Sequence, residues 1–127
     1  MDATEPTAAE VLVLAAQEAL EAGDLDVARA ALLQLPQPRP VVATLLISEL
    51  ELARGDQDSL HSARGRLKNL LMRPPEPLER LDAAWAEVLL GASIACLGDH
   101  QAAQPHFARG LAQGDGWDRG EYGAAYA

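Results

Sequence analysis

Apolar side chains recur at helical spacing along most of the chain, and one dipeptide interrupts the pattern three times. Gly23-Asp24, Gly55-Asp56 and Gly98-Asp99 each separate two apolar-periodic stretches. Glycine tolerates the left-handed conformation that ends a helix, and aspartate accepts hydrogen bonds from the first N–H groups of the next one. The pattern therefore predicts helix-turn-helix hairpins, each with its own Gly-Asp turn.

Capping and proline signals delimit these hairpins. Thr7 and Glu10 form a capping-box pattern before the first apolar stripe. Prolines then follow the first and second hairpins, and proline disfavours helix both at its own position and at the residue before it. The predicted hairpins span about 7–37, 40–73 and 78–113, in one domain over 1–113. Residues 114–127 mix Trp117, Tyr122 and Tyr126 with glycines and show no period, which predicts a loose C-terminal tail.

The third hairpin resembles a tetratricopeptide repeat, a unit of two antiparallel helices with small and large residues at fixed offsets. Leu90-Gly91 matches the pair that lets the two helices approach, and Ala103 matches the small residue opposite it. Phe107 matches the large residue that follows, and Gly110 stands where alanine is usual. The resemblance implies an all-α fold in which three antiparallel helical hairpins stack as a short right-handed α-solenoid.

The first two hairpins carry the pattern less fully. In the first, the matching positions are Ala15-Ala16, Ala28, Leu32 and Pro40. In the second they are Ile47-Ser48, Ala63, Leu67, Leu70 and Pro75, and they align only if three residues are inserted after Gly55-Asp56. The second hairpin is therefore expected to have a longer turn.

The first helix of each hairpin would line the inner wall of such a stack, and the predicted wall is mainly apolar. Its residues are Val13, Leu14, Gln17, Leu20, Val42, Leu45, Leu46, Glu49, Leu52, Trp85, Val88, Leu89 and Ala92. Soluble monomers rarely expose a large apolar strip, so we expect a groove that binds an apolar helix or extended segment of a partner protein. The alternatives are that the wall closes as a core, or that the tail or a second copy covers it.

Known relatives that bind a peptide's terminal carboxylate use lysine, arginine and asparagine in this groove. Gln17, Glu49 and Ala92 stand at those places, so carboxylate-clamp binding is not expected. In size, charge and groove character the chain is similar to bacterial secretion chaperones. Alternatively, it is the helical-repeat part of a bacterial transcription regulator or complex subunit, or a self-associating structural protein.

Charge is distributed unevenly along the chain. The net charge is −9, and every charged residue from Asp2 to Asp26 is acidic. Residues 59–75, in contrast, contain Arg64, Arg66, Lys68 and Arg73 and no acid. The acidic total disfavours a nucleic-acid binder. The basic stretch is interpreted as the solvated face of an outer helix, with RNA or an acidic protein as its alternative partner.

No sequence motif points to catalysis, a cofactor or a membrane. The chain has no phosphate-binding glycine loop, His-Glu-x-x-His helix or nucleophile elbow, and no apolar run approaches the roughly 18 residues of a membrane span. The predicted turn at Gly98-Asp99 separates Cys96 from His100 and His106, so a metal site is not expected. The lack of catalytic motifs predicts that the protein is not an enzyme. The single cysteine and the lack of a secretion signal predict a cytoplasmic protein.

Overall fold

The computed structural model describes residues 7–36 and 39–113, and within these ranges the chain is all-α, as predicted. The six described helices are α1 (Ala8–Glu21), α2 (Leu25–Leu33), α3 (Val41–Arg54), α4 (Gln57–Met72), α5 (Arg80–Cys96) and α6 (His100–Gln113). No described helix is both long and apolar enough to cross a bilayer. The tail predicted for 114–127 lies outside the described residues.

The Gly-Asp pairs end and begin helices largely as predicted. Gly23, Gly55 and Gly98 have φ of 79°, 75° and 103°, the left-handed conformation that glycine adopts without steric cost. The Asp56 side chain accepts the Ser59 N–H at 3.1 Å, and the Asp99 side chain accepts the Ala102 N–H at 3.0 Å. The prediction is wrong for Asp24, whose side chain makes no capping hydrogen bond.

The second turn is not longer than the others, which corrects the sequence prediction. Only Gly55 and Asp56 separate α3 from α4. The inserted residues lie inside α4 instead: Ala63 is the seventh residue of α4, whereas Ala28 and Ala103 are the fourth residues of α2 and α6. Helix α4 therefore begins about one turn earlier, relative to its matching alanine, than α2 and α6 do. It begins there because the Asp56 carboxylate accepts the Ser59 N–H and caps the helix.

The described helices belong to two compact units, Met1–Arg39 and Pro40–Ala127. In the first unit α1 packs on α2. The buried side chains of these two helices are mostly small, and they are Ala16, Ala19, Ala28, Ala31 and Leu32. The capping box at Thr7 and Glu10 is formed as predicted, with the Thr7 hydroxyl accepting the Glu10 N–H at 3.1 Å.

The second unit is organised around α5. This helix packs on α3, α4 and α6, and α3 also packs on α4. Eleven of its residues, from Ala84 to Ala95, are buried and they cover every side of the helix. A helix that is buried all round forms the centre of a core, so α5 is the central helix of this unit.

Two glycines let α5 and α6 approach closely. A Cβ added to Gly91 would lie 2.8 Å from the Phe107 ring and 3.3 Å from the Ala103 carbonyl oxygen. A Cβ on Gly110 would lie 2.5 Å from the Val88 side chain. The sequence prediction that Gly91 faces Ala103 and Phe107 is confirmed. The stacking of all three hairpins into one solenoid over 1–113 stays a prediction.

Candidate binding site

Seven of the thirteen predicted groove residues are buried, so the prediction that they lie open to a partner is wrong. They are Leu45, Leu46, Leu52, Trp85, Val88, Leu89 and Ala92. All seven belong to α3 and α5, whose apolar residues cover more than one face of the helix. Such wide apolar surfaces are buried as core, and the side chains that were assigned to a groove have little surface left for a ligand.

The other six predicted positions are more accessible. Leu14, Gln17 and Val42 are exposed, whereas Val13, Leu20 and Glu49 are half-buried. Four of the six lie on α1 and two on α3. Of the thirteen predicted groove residues, therefore, only Leu14 and Val42 have large apolar side chains that are exposed to solvent.

A different concave surface lies within the second unit, where α4 faces α5 and the start of α6. This cleft has a volume of about 650 Å³, which is in the range of pockets that bind small ligands or single side chains of a partner. It is lined by Gln57, His61, Arg64, Gly65, Lys68, Leu90, Ile94, Leu97, Asp99, Ala102 and His106. We call it the α4–α6 cleft.

The α4 side of the cleft is basic and polar. His61, Arg64 and Lys68 are spaced three and four residues apart, so they share one face of the helix. All three side chains are exposed, and no hydrogen bond or ion pair joins Arg64 or Lys68 to the residues that the structure describes. No described acid therefore competes with an anionic ligand for these two cations.

The opposite side of the cleft is apolar at depth and acidic at one end. Leu90 is buried and Ile94 and Leu97 are half-buried, so these three side chains form an apolar floor. Asp99 is the acid that lines the cleft, and its carboxylate already accepts the Ala102 N–H. The cleft therefore combines an apolar floor with a mainly cationic rim.

His106 lines the cleft and belongs to a cluster that fixes its position. Glu87 of α5 is buried, and its Oε2 atom accepts a hydrogen bond from Arg109 Nε at 2.8 Å. Nδ1 of His106 lies 3.2 Å from that oxygen and 3.0 Å from Arg109 Nη2. A guanidinium only donates, so Nδ1 accepts when it bonds Arg109 and donates when it bonds Glu87.

A second buried carboxylate joins α3 to α4. Glu51 is fully buried, and Arg66 donates to its two oxygens at 3.0 and 3.3 Å. Arg66 also donates to the Ser62 hydroxyl at 3.2 Å. Arg66 is therefore part of a helix–helix contact, which corrects its interpretation as one residue of a solvated face. A buried carboxylate left without its cation is strongly destabilising, so Arg66 is tied to the fold.

The cleft was not predicted, although its basic side was visible in the sequence. His61, Arg64 and Lys68 repeat at helical spacing with Gly65 between them, which marks one polar face of α4. The apolar floor gave no separate signal, because Leu90, Ile94 and Leu97 look like any other core positions. Only the packing of α5 between α4 and α6 brings the two sets together.

The histidines and cysteine considered as metal ligands are not gathered together. Cys96 is an exposed free thiol, and His106 is held in the cluster with Glu87 and Arg109. Within residues 7–36 and 39–113, no group of three or more His, Cys, Asp or Glu side chains has the arrangement of a metal site.

No protein-family model, curated protein sequence or solved structure matches the chain. The candidate site is therefore defined by the geometry and charge of its own residues.

Proposed function

We propose that this protein is a protein-interaction module, and that the α4–α6 cleft binds a short acidic segment of a partner that also carries an apolar side chain. The observation that supports the proposal is the pairing of two exposed cations, Arg64 and Lys68, with the floor of Leu90, Ile94 and Leu97. The cations would meet carboxylates at the rim, and the floor would take the apolar side chain.

The size of the cleft limits what it holds. A volume of about 650 Å³ suits one or two inserted side chains, in the manner of the pocket that receives a hot-spot residue at an interface. Carboxylates at the rim would contribute mainly to the association rate and to the choice of partner. A single contact of this kind would be weak and reversible.

An acidic protein segment suits the cleft better than RNA. Proteins that bind single-stranded nucleic acid combine a longer basic track with aromatic side chains on which the bases stack. The cleft has two exposed cations from Arg and Lys and no Phe, Tyr or Trp among its lining residues.

The resemblance to tetratricopeptide repeats is part of the same proposal. The close approach of Gly91 to Ala103 and Phe107 supports it for the α5–α6 hairpin, and helical repeats of this type commonly serve as binding surfaces. Binding, rather than catalysis, is the activity that we propose, and the partner is expected to be another protein.

The test is binding of a fluorescein-labelled peptide, Glu-Leu-Glu-Glu-Leu-Glu, measured by fluorescence anisotropy at low salt. The variant Arg64→Glu/Lys68→Glu is expected to bind it about tenfold more weakly or worse, because two favourable contacts become repulsive. The matched control is Arg73→Glu/Arg80→Glu, which makes the same change in net charge outside the cleft and should bind like the wild type.

Three results would contradict the proposal. The first is equal binding of a peptide with glutamines in place of the glutamates. The second is equal loss of binding in the control variant. The third is tighter binding of oligouridylate than of the acidic peptide, which would make RNA the preferred ligand.

A further inference from the structure

The solvent face of α1 has the chemistry that the α4–α6 cleft would recognise. Val11 and Leu14 are 50% and 56% exposed, although both are large apolar residues. Glu10, Glu18 and Glu21 are exposed as well. Positions three, four and seven residues apart share a helix face, so these five side chains form one continuous surface, which we call the α1 face.

The α1 face and the cleft are complementary in charge. Helix α1 contains three glutamates and no lysine or arginine. The cleft presents Arg64 and Lys68, which lie one turn apart on α4. Glu18 and Glu21 are three residues apart, whereas Arg64 and Lys68 are four apart, so the charges of each pair lie about one helical turn from each other and the two carboxylates can meet the two cations.

The two surfaces also match in their apolar parts. Leu14 lies one turn before Glu18 on the α1 face, and the floor of the cleft is made of Leu90, Ile94 and Leu97. Insertion of Leu14 would remove its exposed side chain from water, which is favourable in proportion to the apolar area covered. An amphipathic helix with its apolar residues in a groove is a common mode of recognition between proteins.

We propose that the α1 face of one copy of this chain docks in the α4–α6 cleft of a second copy. The inference rests on the proposed function of the cleft and names its partner. Because the two surfaces differ, each copy can offer one and receive the other, so the association is head-to-tail and continues into rings or open chains. The contact is small, so association is expected only at high protein concentration.

The experiment is sedimentation velocity over a hundredfold range of protein concentration. The wild type is expected to show a sedimentation coefficient that rises with concentration. Arg64→Glu/Lys68→Glu removes the receiving surface, and Glu18→Lys/Glu21→Lys removes the offered one. Each variant alone is expected to stay monomeric at every concentration. Glu76→Lys/Glu79→Lys makes the same charge change as the α1 variant on exposed residues outside both surfaces, and should associate like the wild type.

Mixing the two variants gives the sharper result. Together they retain one intact α1 face and one intact cleft, on different chains, and the reversed α1 face of one is complementary in charge to the reversed cleft of the other. The mixture should therefore associate although neither variant does so alone. A chain that carries all four reversals has a basic α1 face and an acidic cleft, and it should self-associate again. Circular dichroism of each variant checks that the helices are retained.

The inference is overturned if the wild type stays monomeric at every concentration. It is also overturned if either variant, measured alone, associates as the wild type does. It is also overturned if their mixture stays monomeric. Titration of the labelled acidic peptide separates this failure from that of the proposed function. Peptide binding that depends on Arg64 and Lys68, without self-association, leaves the binding module in place and removes the second copy as its partner.

Discussion

Among single residues, Asp56 has the best-defined role. It precedes α4, and its carboxylate accepts the Ser59 hydroxyl at 2.7 Å and the Ser59 N–H at 3.1 Å. These two hydrogen bonds, the one from the hydroxyl first, hold the pKa of Asp56 below its ordinary value of 3.8. Both bonds favour the ionised form of the carboxyl group.

The lowered pKa of Asp56 predicts a pH-dependent stability. A folded-state pKa below the unfolded value means that the ionised carboxylate stabilises the fold above pH 3.8, and that this contribution is lost as the pH falls through the lowered folded pKa. Asp56→Ala should therefore lower the melting temperature at neutral pH, and its difference from the wild type should shrink below pH 3.8. Thermal unfolding followed by circular dichroism at several pH values measures both effects.

Asp24 provides the matched control at the corresponding position of the first hairpin. Its side chain makes no capping hydrogen bond, so Asp24→Ala should change the melting temperature less than Asp56→Ala does. An equal loss in the two variants, or an Asp56→Ala effect that is constant from neutral pH to pH 3, would show that the cap does not act in this way.

At the scale of elements, the second unit uses the same kind of contact in its two helical hairpins. A buried glutamate of the first helix pairs with an arginine of the second: Glu51 with Arg66, and Glu87 with Arg109. An ion pair to a buried carboxylate adds little net stability compared with an apolar contact, but it penalises arrangements in which that carboxylate is left alone. Each pair therefore helps to select one alignment of its two helices.

The approach of α5 and α6 gives a prediction for the glycines between them. Gly91→Ala and Gly110→Ala should each lower the free energy of unfolding by about 1–3 kcal/mol, because the added methyl overlaps Phe107 or Val88 and neighbouring backbone. Denaturant titration measures this change.

Gly65 is the control for this prediction, because it lies inside α4 and an added Cβ meets nothing within 4 Å. Gly65→Ala should raise stability by about 0.5–1 kcal/mol, since alanine loses less backbone freedom on forming a helix. If all three alanine variants were stabilised alike, the helices would not be in the close contact described.

At the scale of the whole molecule, the two units differ in the cores that they contain. The buried residues of α1 and α2 are mainly alanines, whereas α3 to α6 bury Leu45, Ile47, Leu67, Leu89 and Phe107 almost completely. Burial of apolar area is the main source of stability, and helical hairpins shorter than about 40 residues rarely hold together without further support.

Native-state hydrogen exchange should therefore distinguish the units. The amides of α1 and α2 are expected to exchange through an opening of lower free energy than those of α5, which is buried on every side. Mass spectrometry of peptic fragments at increasing denaturant concentration gives the two values. A single common opening energy for α1 and α5 would show that the whole chain unfolds as one cooperative body.

Local signals in the sequence determined the helices and where they end. The Gly-Asp pairs, the proline clusters and the Thr7-Glu10 pair act on their immediate neighbours in the chain, so their effect can be predicted without knowing the fold. Even the insertion in the second hairpin was visible, although Asp56 converted it into an extra helical turn rather than a longer loop.

Tertiary structure alone decided which faces are buried and where a ligand can bind. The periodicity of α3 and α5 is the same whether Leu46 and Leu89 line an open groove or a closed core, and the packing of α5 against three other helices buries them. The cleft depends equally on this packing, because Lys68 and Ile94 are distant in sequence and meet only when α4 faces α5. Helical spacing specifies which side chains share a face, whereas the neighbour that covers that face is set by long-range contacts between helices.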